Sequence, residues 1–150
     1  MASPMQPYRG SYLMPAFTQA RVADVMRAGV MSCPPDVPAV EVARAMATHH
    51  IHAVVVEGVS FDAGHGEQLV WGVVSDLDLV RAAFTGIEDL TAADLAATEP
   101  LTTAPETPLA AAAQTMDEHA TAHLIVVEGG RPTGMISTLD IAGALAWGRQ

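Results

Sequence analysis

Gly72-Val73-Val74-Ser75-Asp76-Leu77-Asp78-Leu79 returns further along the chain as Gly134-Met135-Ile136-Ser137-Thr138-Leu139-Asp140-Ile141. In each copy an apolar run that reads as a buried strand meets a serine, and a helix then opens on an acidic first turn. Serine at such a joint can cap the helix, and a carboxylate in the first turn suits the positive end of the helix dipole. The chain is therefore an internal repeat that places one hydroxyl and one carboxylate at the same joint in both halves.

The repeat extends upstream. Val22-Ala23-Asp24-Val25-Met26 is matched by Ala92-Ala93-Asp94-Leu95-Ala96, and Pro35-Asp36-Val37-Pro38 by Pro105-Glu106-Thr107-Pro108. Met46 and Met116 keep the same spacing. The run Ala53-Val54-Val55-Val56-Glu57 aligns with Leu124-Ile125-Val126-Val127-Glu128 when the two glutamates are matched, one residue further out of step. The second copy then omits several residues in a hairpin loop. The first copy fills that loop around Asp62-Ala63-Gly64-His65-Gly66, and the second closes it with Gly129-Gly130-Arg131-Pro132, a tight turn.

Each copy reads as short helix, strand, helix, strand, strand, helix, giving an α+β fold of two repeats. A single copy would leave a sheet face bare, so the two are expected to pack sheet to sheet with pseudo-two-fold symmetry. The expected organisation is a proline-rich N-terminal arm over residues 1–20, a first domain over 21–86 and a second over 87–148. Asp36 and Pro38 mark a helix start. Val42, Met46 and His50 share one face of that helix, as do Leu109, Ala112, Ala113, Met116 and Ala120 in the second copy.

The 150 residues carry 7 Lys+Arg against 17 Asp+Glu, a formal charge of −10, with every cation an arginine. That balance argues against a nucleic-acid surface, which needs clustered cations to release counterions, and against an anionic membrane. No apolar run approaches the roughly 20 residues that span a bilayer, and no signal-peptide core is present, so a cytoplasmic protein is expected. The single cysteine, Cys33, cannot form an internal disulfide and reads as a small buried apolar residue.

The Val-Ala-Asp-Val-Met opening, the helices through Met46 and Met116, the valine strands, and above all the doubled Gly-x-x-Ser-x-x-Asp resemble a tandem pair of cystathionine-β-synthase-type (CBS) domains over about residues 21–148. The resemblance implies a regulatory module, usually a homodimer, that binds an adenosine-type ligand such as AMP, ATP or S-adenosylmethionine in clefts between the halves. It implies no required cofactor. By motif, Ser75 and Asp78 mark one site and Ser137 and Asp140 the other. The hydroxyl and helix-start amides suit a ligand oxygen or phosphate, and the carboxylate can accept from both hydroxyls of a ribose diol. The plainer reading makes the serines N-caps and the aspartates first-turn charges. Family members that bind adenine often place a glycine and a proline around the central strand, whereas here the glycine positions hold His50 and Ala120 and the proline positions Val54 and Ile125.

His52 and His123 precede equivalent strands and are candidates to face the cleft. Arg81 is the candidate cation near the first signature; Arg21, Arg27 and Arg131 are the others. His49, His50 and His52 do not converge at helical pitch, so no metal site is expected. With no nucleophile elbow, and the absence of lysine precluding a phosphate loop ending in Gly-Lys, no catalytic residues are expected and the chain reads as not an enzyme. The regulated effector is expected to be another protein. The competing function is a dimerisation module without a nucleotide site, suggested by surplus apolar surface on the signature helices: Leu77, Leu79, Val80, Ala83 and Phe84, and Leu139, Ile141, Ala144, Leu145 and Trp147.

Overall fold

The computed structural model describes residues 15–62 and 68–148; most of the expected arm and the loop at 63–67, with His65, lie outside the described residues. The elements run α1 (Val22–Val25), β1 (Arg27–Ala28), β2 (Ser32–Cys33), α2 (Ala39–His49), β3 (Ala53–Asp62), β4 (Gln68–Ser75), α3 (Asp76–Ala83), α4 (Ala92–Leu95), β5 (Thr102–Thr103), α5 (Leu109–His119), β6 (His123–Glu128), β7 (Arg131–Ser137) and α6 (Thr138–Trp147). This is the α+β, tandem-repeat architecture expected from the sequence.

Two compact units form, and each takes its short helix from the other repeat. One unit is Val30–Leu101; the other joins the described residues before Val30 to those from Thr102 onward. In the first, the backbone N–H groups of Ala92 and Ala93 donate to the carbonyls of Val37 and Pro35, and Ala39 donates to Leu90. The second repeats this lattice with Val22 to Thr107, Ala23 to Pro105, and Leu109 to Ala20. Proline at Pro38 and Pro108 leaves no donor of its own, so each long helix begins where a neighbouring segment supplies the bridging bonds.

In the Val30–Leu101 unit the sheet order is β2-β3-β4, with β2 parallel and β4 antiparallel to β3. Val42 and Met46 of α2 and Val54, Val56 and Val74 of the sheet bury together, closed over by Ala92, Leu95 and Ala96. Each fully buried valine contributes roughly 1.5–3 kcal/mol of transfer free energy, so the valine-rich strands dominate this core. Trp71 is 3 % exposed, a packing residue.

The other sheet has the order β1-β7-β6-β5. Leu124, Val126 and Ile136 of the sheet are buried, as are Leu109, Ala112 and Met116 on one face of α5. The hairpin between β6 and β7 is closed by Gly129 and Gly130, both at positive φ (61° and 77°), as a two-residue turn that matches strand twist requires. Met135 and Gly134 pair with Arg27 and Ala28 of β1, so this sheet has a strand that the other lacks. Gly134 is obligatory there: a Cβ would collide with the Arg27 carbonyl and the Met26 side chain.

The helices stop one residue short of the expected faces. His50 (φ 53°, ψ 45°) and Ala120 (φ 49°, ψ 43°) are left-handed C-caps, exposed rather than on the buried face with Met46 and Met116. Ile51 N–H reaches Met46 O at 3.1 Å and Thr121 N–H reaches Met116 O at 3.0 Å, closing each helix end.

Candidate functional site

Both signature joints are built alike. Ser75 is the N-cap of α3: its Oγ accepts from Asp78 N–H at 3.2 Å, while Asp78 Oδ2 accepts from Ser75 N–H at 2.8 Å and from the Ser75 hydroxyl at 2.9 Å. Ser137 and Asp140 repeat the box on α6, with Oδ2 accepting at 2.8 Å and 3.0 Å and the serine oxygen accepting at 3.4 Å. Two otherwise orphaned helix-start donors are satisfied in each box, worth about 1 kcal/mol per cap. The same box recurs at Thr91 and Asp94, outside the signature. Capping therefore accounts for the hydroxyls and for one oxygen of each aspartate.

The second carboxylate oxygen distinguishes the joints. Asp78 Oδ1 has no partner among the described residues. Asp140 Oδ1 faces Arg27 Nε at 3.8 Å, with the aspartate side chain 12 % and the arginine 71 % exposed. That is a long, solvent-facing pair of small energetic weight. Arg27 reaches Asp140 because β1 pairs with β7; its counterpart in the second repeat, within the unit that holds Asp78, is Ala97. Arg81 lies one turn beyond Asp78, exposed and with no carboxylate in ion-pair range among the described residues. Arg131 opens β7 opposite Glu128, and Arg21 precedes α1, its backbone N–H donating to Asp24.

The two histidines are not equivalent, contrary to the sequence alignment. His123 pairs across from Ser137 as Ala53 pairs across from Ser75, so His123 occupies the place of Ala53. His52 corresponds to Ala122, since Asp76 N–H donates to His52 O as Thr138 N–H donates to Ala122 O. Matching Glu57 to Glu128 misplaced the strands by one residue; backbone register puts Val127 opposite the role of Glu57. The same shift makes Leu124, not Ile125, the counterpart of Val54. His52 Nδ1 lies 2.8 Å from Asp76 Oδ2, an exposed pair at the start of α3 that spacing alone did not announce. His123 is half-buried.

Among the described residues no three metal-ligating side chains converge. Burial of the half-exposed Cys33, and then the Glu57 carboxylate, push its thiol above the ordinary value of 9.0. Within the unit containing the second signature, a groove of about 520 Å³ opens between the end of α5 and the start of α6, lined chiefly by Met116, Ala120, Ala122 and Ile141 with Asp117 and Thr138.

The CBS domain model matches residues 22–85 and again 92–146, two copies covering most of the chain. The chain belongs to the CBS domain family. As a CBS domain pair it is similar to a conserved protein from Pyrococcus horikoshii (21 % identity, TM-score 0.73, 89 % of this chain and 96 % of that one). It is similar also to the CBS domain pair of protein MJ0100 in complex with 5′-methylthioadenosine and S-adenosyl-L-methionine (18 %, TM-score 0.67, 82 % and 97 %). A third is the CBS domain protein PAE2072 from Pyrobaculum aerophilum complexed with AMP (25 %, TM-score 0.67, 85 % and 98 %). No curated protein matches the chain. No helix among the described residues is long and apolar enough to cross a membrane.

Proposed function

We propose that this CBS domain pair is a regulatory sensor, not an enzyme, that binds an adenosine-type small molecule in the cleft between its repeats and modulates a partner protein. The observation that carries the reading is the doubled capping box with one aspartate oxygen left over: Oδ2 is committed to the helix, while among the described residues Oδ1 of Asp78 is unclaimed and that of Asp140 meets an exposed arginine at 3.8 Å. A carboxylate oxygen accepts two hydrogen bonds, so each Oδ1 can receive a ribose diol without dismantling the cap. Complexes of related folds with AMP, 5′-methylthioadenosine and S-adenosyl-L-methionine support the ligand class.

Regulation then follows from differential affinity. A ligand that contacts both repeats favours whichever arrangement completes its contacts, and only that difference is transmitted. With few cations near either joint, a monophosphate or a neutral adenosyl group fits better than ATP, and affinity weaker than micromolar is expected. His52 and His123 remain candidates to contact the ligand, as does Arg81. The pair works as a homodimer, its effector is a separate protein, and it acts in the cytoplasm. Calorimetry with AMP, ATP, 5′-methylthioadenosine and S-adenosylmethionine tests the reading: heat from at least one supports it, and none at millimolar ligand removes it.

The alternative is a ligand-independent association module. Exposed apolar side chains on α3 and α6 favour it, including Phe84 at 86 % and Leu139 at 68 % exposure. Self-association with no nucleotide heat would select it.

A further inference from the structure

Where the described chain begins, it lies against the end of α6. A Cβ built on Gly148 would stand 2.7 Å from the Pro15 carbonyl oxygen and 3.1 Å from Ala16 Cα. Ala16 and Ala20 are buried, and Leu109 N–H donates to Ala20 O, so this entry point is fixed on the unit that holds α5 and α6. It also falls on a particular face of the helix. Thr138, Ile141, Leu145 and Gly148 lie at i, i+3, i+7 and i+10, one stripe along α6. Thr138 and Ile141 line the groove of about 520 Å³ at the end of α5, and Leu145, between them and Gly148, is 59 % exposed. A strip of bare apolar surface thus runs from the place where Pro15 sits to the groove.

The residues before Pro15 have the chemistry to cover that strip. Met5, Tyr8, Tyr12, Leu13 and Met14 are apolar or aromatic, and Arg9 is the one charged side chain of residues 1–14. Asp117 is the charged residue of the groove lining, and it has no ion-pair partner among the described residues. Reach agrees with chemistry. From Gly148 back to Ile141 is roughly 10 Å and to Thr138 roughly 15 Å along a helix. An extended chain leaving Pro15 covers about 10 Å by Tyr12 and about 20 Å by Arg9. We infer that residues 1–14 of the same chain occupy the groove as a strap that runs back along α6, with Tyr12 over Leu145 and Ile141, Tyr8 in the groove and Arg9 paired with Asp117. Pro4, Pro7 and Pro15 restrict the backbone before docking, which lowers the entropy lost in ordering it. The ion pair sets the register of the strap, while covering apolar surface supplies most of its affinity.

Cross-linking of the full-length chain tests the strap. In a Cys33→Ser background, Gly10→Cys is combined either with Ala122→Cys, in the groove, or with Ala111→Cys, exposed on the opposite face of α5, and each chain is treated with a short bismaleimide. The expected result is an intrachain link to position 122 formed about 10-fold faster than one to position 111, because docking raises the effective concentration at the groove alone. Equal rates at the two positions overturn the inference. Links to position 122 that form only between chains, and fade on dilution, overturn the same-chain assignment in favour of a second copy. Charge reversal supplies a second arm. With Ala122→Cys as the one cysteine, Arg9→Asp should speed its labelling by a soluble maleimide about 2- to 5-fold, the range one exposed ion pair allows, and Arg9→Asp/Asp117→Arg should restore the slow rate. Labelling indifferent to both changes overturns the Arg9–Asp117 contact. Both measurements are made without nucleotide, so their outcome is separate from that of the ligand titrations.

Discussion

Replacing His50 by glycine should stabilise the protein although it removes a whole side chain. His50 sits at φ 53°, ψ 45° with an exposed ring, capping α2 through its own and the following backbone N–H group. An L-residue in that region costs roughly 1–2 kcal/mol that glycine does not incur. Glycine also adds unfolded-state entropy, which takes back about 0.4–1 kcal/mol. The net gain is about 0.5–1 kcal/mol, or a rise of roughly 2–4 °C per kcal/mol in melting temperature for a chain of this length. Ala120→Gly, at φ 49° on the equivalent cap, should give a similar gain, and the two should add because they share no partner. Urea unfolding followed through buried Trp71 and by circular dichroism provides the assay, with His50→Ala as the control that keeps the strain. Equal stability of His50→Gly and His50→Ala would refute the reasoning, since the gain would then owe nothing to backbone conformation.

Three further outcomes follow. Ser75→Ala, Ser137→Ala and Thr91→Ala should each cost about 1 kcal/mol in thermal or urea unfolding, because the same cap is lost in all three whatever the ligand role. Gly134→Ala should cost roughly 1–3 kcal/mol, since the new methyl collides with the Arg27 carbonyl and separates β1 from β7, whereas Gly143→Ala should stabilise by up to about 1 kcal/mol when measured on the monomer. The raised pKa of Cys33 means less thiolate at any pH near 8, so the folded chain should react with a thiol probe more slowly than the same chain in denaturant. Equal rates at pH 8 would show that the thiol is not held in a desolvated site.

The doubled strand-serine-helix signature made the repeat, the α+β class and the family legible, because each rests on local pattern: alternation, caps and turn glycines. Long-range pairing was not legible in the same way. Nothing local to Val22 or Ala92 tells that each short helix docks on the other repeat, since the decisive bonds run to Thr107 and Val37 far along the chain. Register was misjudged for a related reason. Two glutamates look equivalent by residue type, but strand alignment is fixed by which residue faces Ser75 or Ser137, and that shifted His123 onto the place of Ala53. Of the candidate site, the serine–aspartate pairs were readable, and their mutual hydrogen bonds follow from the three-residue spacing of a capping box. The Arg27 contact to Asp140 was not readable, because it exists only where β1 extends the second sheet.

Isothermal titration of 5′-methylthioadenosine and AMP into the wild-type chain, Asp78→Ala, Asp140→Ala and Asp94→Ala tests the central claim most directly. Asp94→Ala breaks the same kind of cap outside the signature and so controls for lost stability. The expected result is binding weaker than micromolar to the wild type, loss of one component in each signature variant, and unchanged binding in Asp94→Ala. Binding that survives both signature substitutions, or that vanishes equally in Asp94→Ala, would contradict it.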